Sequence, residues 1–306
     1  MSAVGESKRN EPGDDGAAHA RLAVRRTAKL FIGGAFPRSE SGRSYQVSAA
    51  DGRFVANAAE ASRKDVRDAV VAARKAQPGW SAATAYNRGQ ILYRIAEMLE
   101  GRAAQFSAEV ADAEGIDQVA ADRMVAEAID RWVWYAGWSD KIAMVAGSAN
   151  AVAGPYFNFS VPEPTGVVAV LAPQSSSLLG LVSVVAPAIV SGNTVVVVAS
   201  ELRPLPAVSL GEVLATSDLP GGVINILTGS AAVLGPILAG HMDVNAIDLC
   251  GATGEDVAEL ERLAAENVKR VVRPARNGEL DWTVEPTPRR MLALTELKTV
   301  WHPQGL

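Results

Sequence analysis

From Thr165 onward the chain repeats one phrase: a short run of β-branched apolar residues, a turn, then an apolar stretch of helical length. "GVVAVLA" leads into residues 178–190, "NTVVVVAS" into 206–217, "GVINILTG" into 231–239 and "VNAIDLC" into 255–267. Such runs lack polar alternation, so each strand must be buried on both faces, and the intervening helices supply the cover. Neighbouring strands joined by helices run parallel, because an antiparallel pair needs only a short hairpin turn. The expected fold class is therefore α/β, a parallel sheet with helices on both faces. Ligands in such sheets collect at the carboxyl ends of the strands. That directs attention to the turns, above all "LAPQSSSLLG", Leu171 to Gly180, which offers three serines and a glutamine but no charge, histidine or cysteine.

The preceding half reads differently. Residues 29–62 alternate in short runs punctuated by Gly, Pro and Ser, the pattern of strands and hairpins. Ser62 is placed to cap a helix with Asp65 three positions on, and Val66, Ala69, Val70 and Ala73 recur at helical spacing until Pro78, where the run is expected to stop. A second helix is expected from Tyr86 to Ala113, with Ile91, Ile95, Met98 and Leu99 on one face, and a third from Gln118 to Val145, carrying Val125, Ile129, Trp132, Val133 and Ala136. The aromatic cluster "RWVWYAGW" falls on that helical stripe and reads as core packing. "AGPYFNFSVPEPTG" alternates and ends in prolines, as an extended strand leaving the helical layer would. After Arg270 one clear strand remains, Thr295 to Trp301, and residues 1–28, polar and Gly-rich, read as a disordered tail.

Composition narrows the partners. The formal net charge of -5 gives no attraction to nucleic acid or to an anionic membrane, and no apolar stretch reaches the length of a spanning helix. The one cysteine, Cys250, excludes an internal disulfide and a cysteine-based zinc cluster, and suits a reducing, cytoplasmic setting. His19, His241 and His302 are scattered without metal-ligand spacing, so no metal site is expected.

Taken in order, "PTGVVAVLAP", "APAIVSGNTVVVVASE", "LPGGVINILTG", "LAGHMDVNAIDLCGAT" and the closing "LTELKTVW" resemble the aldehyde dehydrogenase superfamily, and "LFIGGAF", "AVVAARKAQPGWSA" and "RGQILYRIAEMLE" resemble its earlier phrases. The resemblance implies a Rossmann-like NAD(P)-binding domain over residues 29–272, and a linker with a small extended oligomerisation strand over residues 273–306. In the family a catalytic domain with a nucleophilic cysteine stands between those two. Here "ENVKRVV" passes to "TELKTVW" across a short stretch, with no "GQxC"-like phrase for the nucleophile and no "EIFGP"-like phrase for a ribose-binding glutamate.

The resemblance also assigns roles to single positions. Ser175 stands where the family has an Asn that donates to the oxyanion, and Pro274 where its general base would align; Glu279 and Asp281 nearby read as solvated charges. Val198 replaces a lysine that faces the adenosine ribose, while Ser200 and Glu201 remain. Gly229 and Gly235 survive from a glycine motif whose middle place is Ala231. Gly251 and Thr253 survive beside Ala252, which replaces a phosphate-facing serine. Cys250 lies toward the nicotinamide place, without a His or Lys nearby in sequence to activate it. The cofactor implied is NAD or NADP, held through Ser200, Glu201, Gly229, Gly235 and Gly251, with binding weakened or lost through the replacements at Val198, Ala231 and Ala252; Cys250 and Ser175 are the weak catalytic candidates. The expectation is a catalytically incomplete member acting as an accessory or scaffold subunit. It would form a homo-oligomer, or a hetero-oligomer with a full-length aldehyde dehydrogenase, through Thr295 to Trp301, as in a subfamily that joins an active unit to an incomplete one. The alternatives are an NAD(P)-dependent aldehyde oxidoreductase and a dinucleotide sensor without turnover.

Overall fold

The computed structural model describes residues 26–275 and 280–305. Residues 1–25 of the expected tail, and Glu279, lie outside the described residues. The last residues of that tail are not loose: Thr27–Ala28 forms strand β1, which pairs in parallel with β3 (Phe54–Ala59), and Ala28 is buried. β2 (Ser44–Ser48) completes this three-stranded sheet on the other edge of β3.

Helix α1 (Arg63–Ala82) starts at Ser62 with a full capping box: the Ser62 hydroxyl accepts from the Lys64 and Asp65 amides, and the Asp65 carboxylate accepts from the Ser62 amide. Contrary to expectation, Pro78 does not end it. An interior proline costs a helix about 3 kcal/mol. The last turn is held all the same, by buried Trp80, whose indole donates to the Ile189 carbonyl at 2.9 Å. The expected second helix is two: α2 (Ala85–Glu100) and α3 (Ala103–Glu114), parted at Gly101, a poor helix former whose amide closes α2 onto the Glu97 carbonyl. The expected third helix also divides, at Gly137, into α4 (Gln118–Ala136) and the short α5 (Ile142–Ala146). The aromatic stripe is core, as expected: Trp132 is fully buried.

β4 (Ser148–Asn150) and β5 (Tyr156–Pro164) lead into the main unit of β6 (Val167–Leu171), α6 (Leu179–Val190), β7 (Thr194–Val198), α7 (Leu205–Leu214), β8 (Ile224–Leu227), α8 (Ala231–Gly240), β9 (Ala246–Asp248), α9 (Gly254–Ala265) and β10 (Arg270–Val272). The five strands form one parallel sheet in the order β10-β9-β6-β7-β8, the Rossmann-like architecture expected. Side chains alternate between its faces. Val168, Val170, Val195 and Val197 join the core beneath α6 and the α2–α4 layer; Val167, Leu171, Val196 and Val198 join that beneath α1, α8 and α9. Burying each such side chain stabilises the fold by about 1.5–3 kcal/mol. α6 is apolar all round because it lies between the sheet and α4, and every one of its residues is buried.

After β10 the chain runs as a strap through α10 (Arg289–Ala293), which the sequence pattern did not reveal, into β11 (Thr295–Pro303). Met291 and Leu294 are fully buried and Trp282 packs against the same core. β11 pairs antiparallel with β5 of its own chain along its whole length, Thr295 opposite Pro164 and Trp301 opposite Asn158, in a sheet ordered β11-β5-β4. Among the described residues no helix is long and apolar enough to cross a membrane.

Candidate functional site

At the carboxyl end of the sheet, the turn after β6 is laced to the turn after β7 by Gln174. Its side-chain amide donates to the Ala172 carbonyl at 2.8 Å, its Oε1 accepts from the Glu201 amide at 3.0 Å, and its own carbonyl accepts from the Ser200 hydroxyl at 2.9 Å. Ser200, expected to face a ribose, is thus buried and engaged in holding the turn. Sequence reading gave Gln174 no role, because its partners arrive from the next strand.

The three serines divide. Ser176 accepts from the Gly180 amide at 2.9 Å, and the amide and hydroxyl of Ser177 both donate to Glu114 at the end of α3, at 2.6 and 2.7 Å. Ser175 is exposed, with its carbonyl bound by the Arg203 guanidinium. It lines neither of the cavities that follow.

One cavity, of about 190 Å³, lies between α8 and α9. Leu171, Ala231, Pro236 and Leu260 form apolar walls, and Glu201, Asp256 and Glu259 bring carboxylates to it. Thr253 is turned to Asp256, donating at 2.8 Å, and Glu259 is clasped by Arg262 at 2.8 Å, a hydrogen bond that holds its pKa below the ordinary value. The second cavity, of about 370 Å³, adjoins the first along Gln174, Gly251, Ala252 and Thr253. Cys250 lies in its wall with Pro274 and Leu280 opposite, and its described lining contains no Asp, Glu, His or Lys.

The expected glycines have packing roles. At Gly251 a Cβ would stand 1.9 Å from the Ala172 carbonyl oxygen, so the close approach of the β9 and β6 turns requires glycine. Gly235 faces Leu171 and Leu260 inside α8, and Gly229 turns the chain after β8 at a φ of 132°; neither lines the cavities. Of the expected site residues, then, Glu201, Gly251, Thr253 and Cys250 reach a cavity wall.

Cys250 has a neighbour that its sequence surroundings conceal. Arg290, from the strap, lies within electrostatic reach of it and forms an ion pair with the fully buried Asp248, stacking 5.7 Å above the Trp282 ring. Burial alone would lower the Arg290 pKa, but Asp248 and then Cys250 outweigh it and raise it. The Asp248 carboxylate also accepts from the Cys250 amide at 3.0 Å, which fixes the end of β9. Among the described residues no cluster of His, Cys, Asp or Glu could hold a metal ion.

For a dinucleotide the fit is divided. The slot between α8 and α9 with Glu201 at its end suits an adenosine, whose ribose hydroxyls a carboxylate can accept. The adjoining stretch offers a pyrophosphate no cationic side chain, an alanine at 252, and a Thr253 hydroxyl already engaged.

Residues 36–275 match the model of the aldehyde dehydrogenase family. The chain is 32% identical over 257 residues to the cytosolic 10-formyltetrahydrofolate dehydrogenase of Mus musculus, covering 82% of this chain and 28% of that protein. It is 34% identical over 249 residues to a mitochondrial aldehyde dehydrogenase of Leishmania tarentolae, covering 79% and 49%. The NAD+ complex of an aldehyde dehydrogenase from Bacillus cereus superposes with a TM-score of 0.75 at 26% identity, over 80% of this chain and 50% of that one. An NAD-dependent aldehyde dehydrogenase from Sinorhizobium meliloti gives 0.75 at 25% identity, over 81% and 50%. The chain thus spans half or less of the length of these relatives. With a family model matched from the first small sheet to the end of β10, this chain belongs to the aldehyde dehydrogenase family.

Proposed function

We propose that this chain is a catalytically incomplete aldehyde dehydrogenase-family protein, an accessory or scaffold subunit rather than an oxidising one. One observation carries the reading: between β10 and β11, where the family places its catalytic domain, residues 280–294 pack as a strap on the chain's own core through Met291, Leu294 and Trp282. Aldehyde oxidation needs a thiolate, an oxyanion donor and a base acting as a unit. The Cys250 cavity has no base in its described lining, and Ser175 lies outside it.

The parts that fit one subunit to another remain. β11 is an edge strand with its outer side unpaired in the described chain, and it leaves Leu297 62% and Trp301 59% exposed. Exposed edges and apolar patches of this kind call for a partner. In this reading Thr295 to Trp301 docks on a second copy or on a full-length aldehyde dehydrogenase, in the cytoplasm. The slot beside Glu201 keeps a second reading in play, a sensor that binds nucleotide without turnover.

The test is oxidation of simple aldehydes by the purified chain with NAD and with NADP. No turnover is expected; turnover that vanishes in Cys250→Ser would overturn the reading in favour of a working oxidoreductase.

A further inference from the structure

We propose that the open edge of β11 is a self-complementary seam, in which β11 pairs antiparallel with β11 of a second copy about a twofold axis at Thr299. The inference rests on the docking reading above and narrows its two partners to one. Among the described residues β11, nine residues long, is the longest strand that ends a sheet; the other terminal strands have two to five. Proteins ordinarily blunt such edges with short length, bulges or lysines. β11 keeps its register with β5 throughout, and its Lys298 is drawn back to Glu163 on that neighbour at 3.1 Å.

The hydrogen bonds to β5 decide which backbone groups face outward. Just beyond the two ends of the strand, Gln304 donates to the Pro155 carbonyl at 2.8 Å and the Leu294 carbonyl accepts from the Thr165 amide at 3.4 Å, so the even-numbered residues bond inward. Pro162 and Pro164, which have no N–H to give, accordingly lie opposite Leu297 and Thr295. The amides and carbonyls of Thr295, Leu297, Thr299 and Trp301, with the Pro303 carbonyl, therefore point away from β5.

An antiparallel seam between identical strands sets one residue opposite its own copy at the axis. Centred on Lys298 it would bring two lysines face to face, and centred on Leu297 or Val300 it would use only part of the strand. Centred on Thr299 it pairs all nine positions. Leu297 of one copy then faces Trp301 of the other, and Glu296, which also holds Arg270 at 2.6 Å, faces His302. The outward donors and acceptors match, giving about eight new hydrogen bonds, with Pro303 at the outermost pair, where only its N–H is missed. Trp301 already meets Tyr156 edge to face at 5.8 Å, so Leu297 of the other copy completes an apolar trio at each end of the seam. Between the trios, side-chain hydrogen bonds run from Asn150 to Ser160 and from Ser160 to Thr299, and Thr299 of the second copy continues that row. Self-complementarity selects a second copy over any other partner, because one sequence supplies both sides of every pair.

Sedimentation equilibrium of the whole chain tests the seam, and a mass of twice the chain is expected at micromolar concentration. Thr299→Pro removes the amide at the axis without touching a bond to β5, and is expected to weaken the dimer about tenfold or more. Thr299→Ala keeps that amide and should leave the copies paired. Cross-linking fixes the register independently. In a Cys250→Ser background, Thr299→Cys sets the introduced thiols on Cα atoms about 5.5 Å apart, within disulfide reach, so mild oxidation is expected to link the copies. Lys298→Cys, whose opposite position is Val300, is expected not to link. A monomer at every concentration overturns the inference, as does a dimer that Thr299→Pro leaves unchanged, or linkage through Lys298→Cys in place of Thr299→Cys. A chain that stays monomeric alone but binds a full-length aldehyde dehydrogenase overturns it too. Each of these failures leaves the accessory-subunit reading intact, since only aldehyde turnover removes that.

Discussion

Removing the Arg290 side chain should unfasten the strap. Asp248 has no exposed surface and Arg290 retains 16% of its own, so Arg290→Met leaves a carboxylate in the interior, bound by the Cys250 amide but without its cation. Breaking a buried pair from one side costs about 3–5 kcal/mol, because the surviving charge stays desolvated. Loss of the guanidinium over Trp282 adds about 0.5–1 kcal/mol. In a domain of this size that should lower Tm by roughly 10 °C. Urea unfolding at pH 7 measures the free energy, and limited proteolysis of the segment around Trp282 reports whether the strap has come loose. The double variant Asp248→Asn/Arg290→Met removes both charges and keeps an acceptor for the Cys250 amide, so it should recover much of the loss. A single-variant cost under about 1 kcal/mol, or additive costs in the double variant, would refute the view that this pair clamps the strap.

Gly251→Ala should destabilise by about 3 kcal/mol or more, since its methyl meets the Ala172 carbonyl, whereas Gly254→Ala, with open space around it, should be nearly neutral by thermal unfolding. Lys269 is held down to a pKa of about 8 by burial. A lysine whose folded pKa lies below its ordinary 10.5 binds its proton less well in the folded state, so its contribution to stability rises as the pH climbs from about 8 to 10.5. Stability measured from pH 7 to 10 should show that slope, and Lys269→Met should remove it. Glu109 is shifted the other way, raised by burial, so stability should gain as the pH falls through its folded pKa, and Glu109→Gln should abolish that gain. Leu297→Ser/Trp301→Ser should leave Tm unchanged, because both side chains are exposed, but should shift the mass seen by light scattering toward the monomer; an unchanged mass, alone or mixed with a full-length aldehyde dehydrogenase, would rule out β11 as a dock.

The parallel sheet was legible in the residues because its information is local: "VVAVL" and "TVVVV" have no polar face, and only a doubly covered strand tolerates that. The Ser62 capping box was legible for the same reason, being written within four residues. The end expected at Pro78 was misplaced because a neighbour decided it: the Trp80 indole reaching Ile189 holds α1 beyond its proline. The breaks at Gly101 and Gly137 instead lie at glycines that the apolar periodicity runs through. At the site, sequence identified Glu201, Gly251 and Cys250 as positions near the strand ends, but not what they meet. Gln174 binds a residue 27 positions away, Ser177 binds Glu114 63 positions away, and Asp248 pairs with Arg290 42 positions away. β11 could be recognised as a strand from its alternation alone. That it lies on β5 of its own chain, leaving its other edge open, depends on the strap between them folding back over the core, a long-range packing choice that no local period encodes.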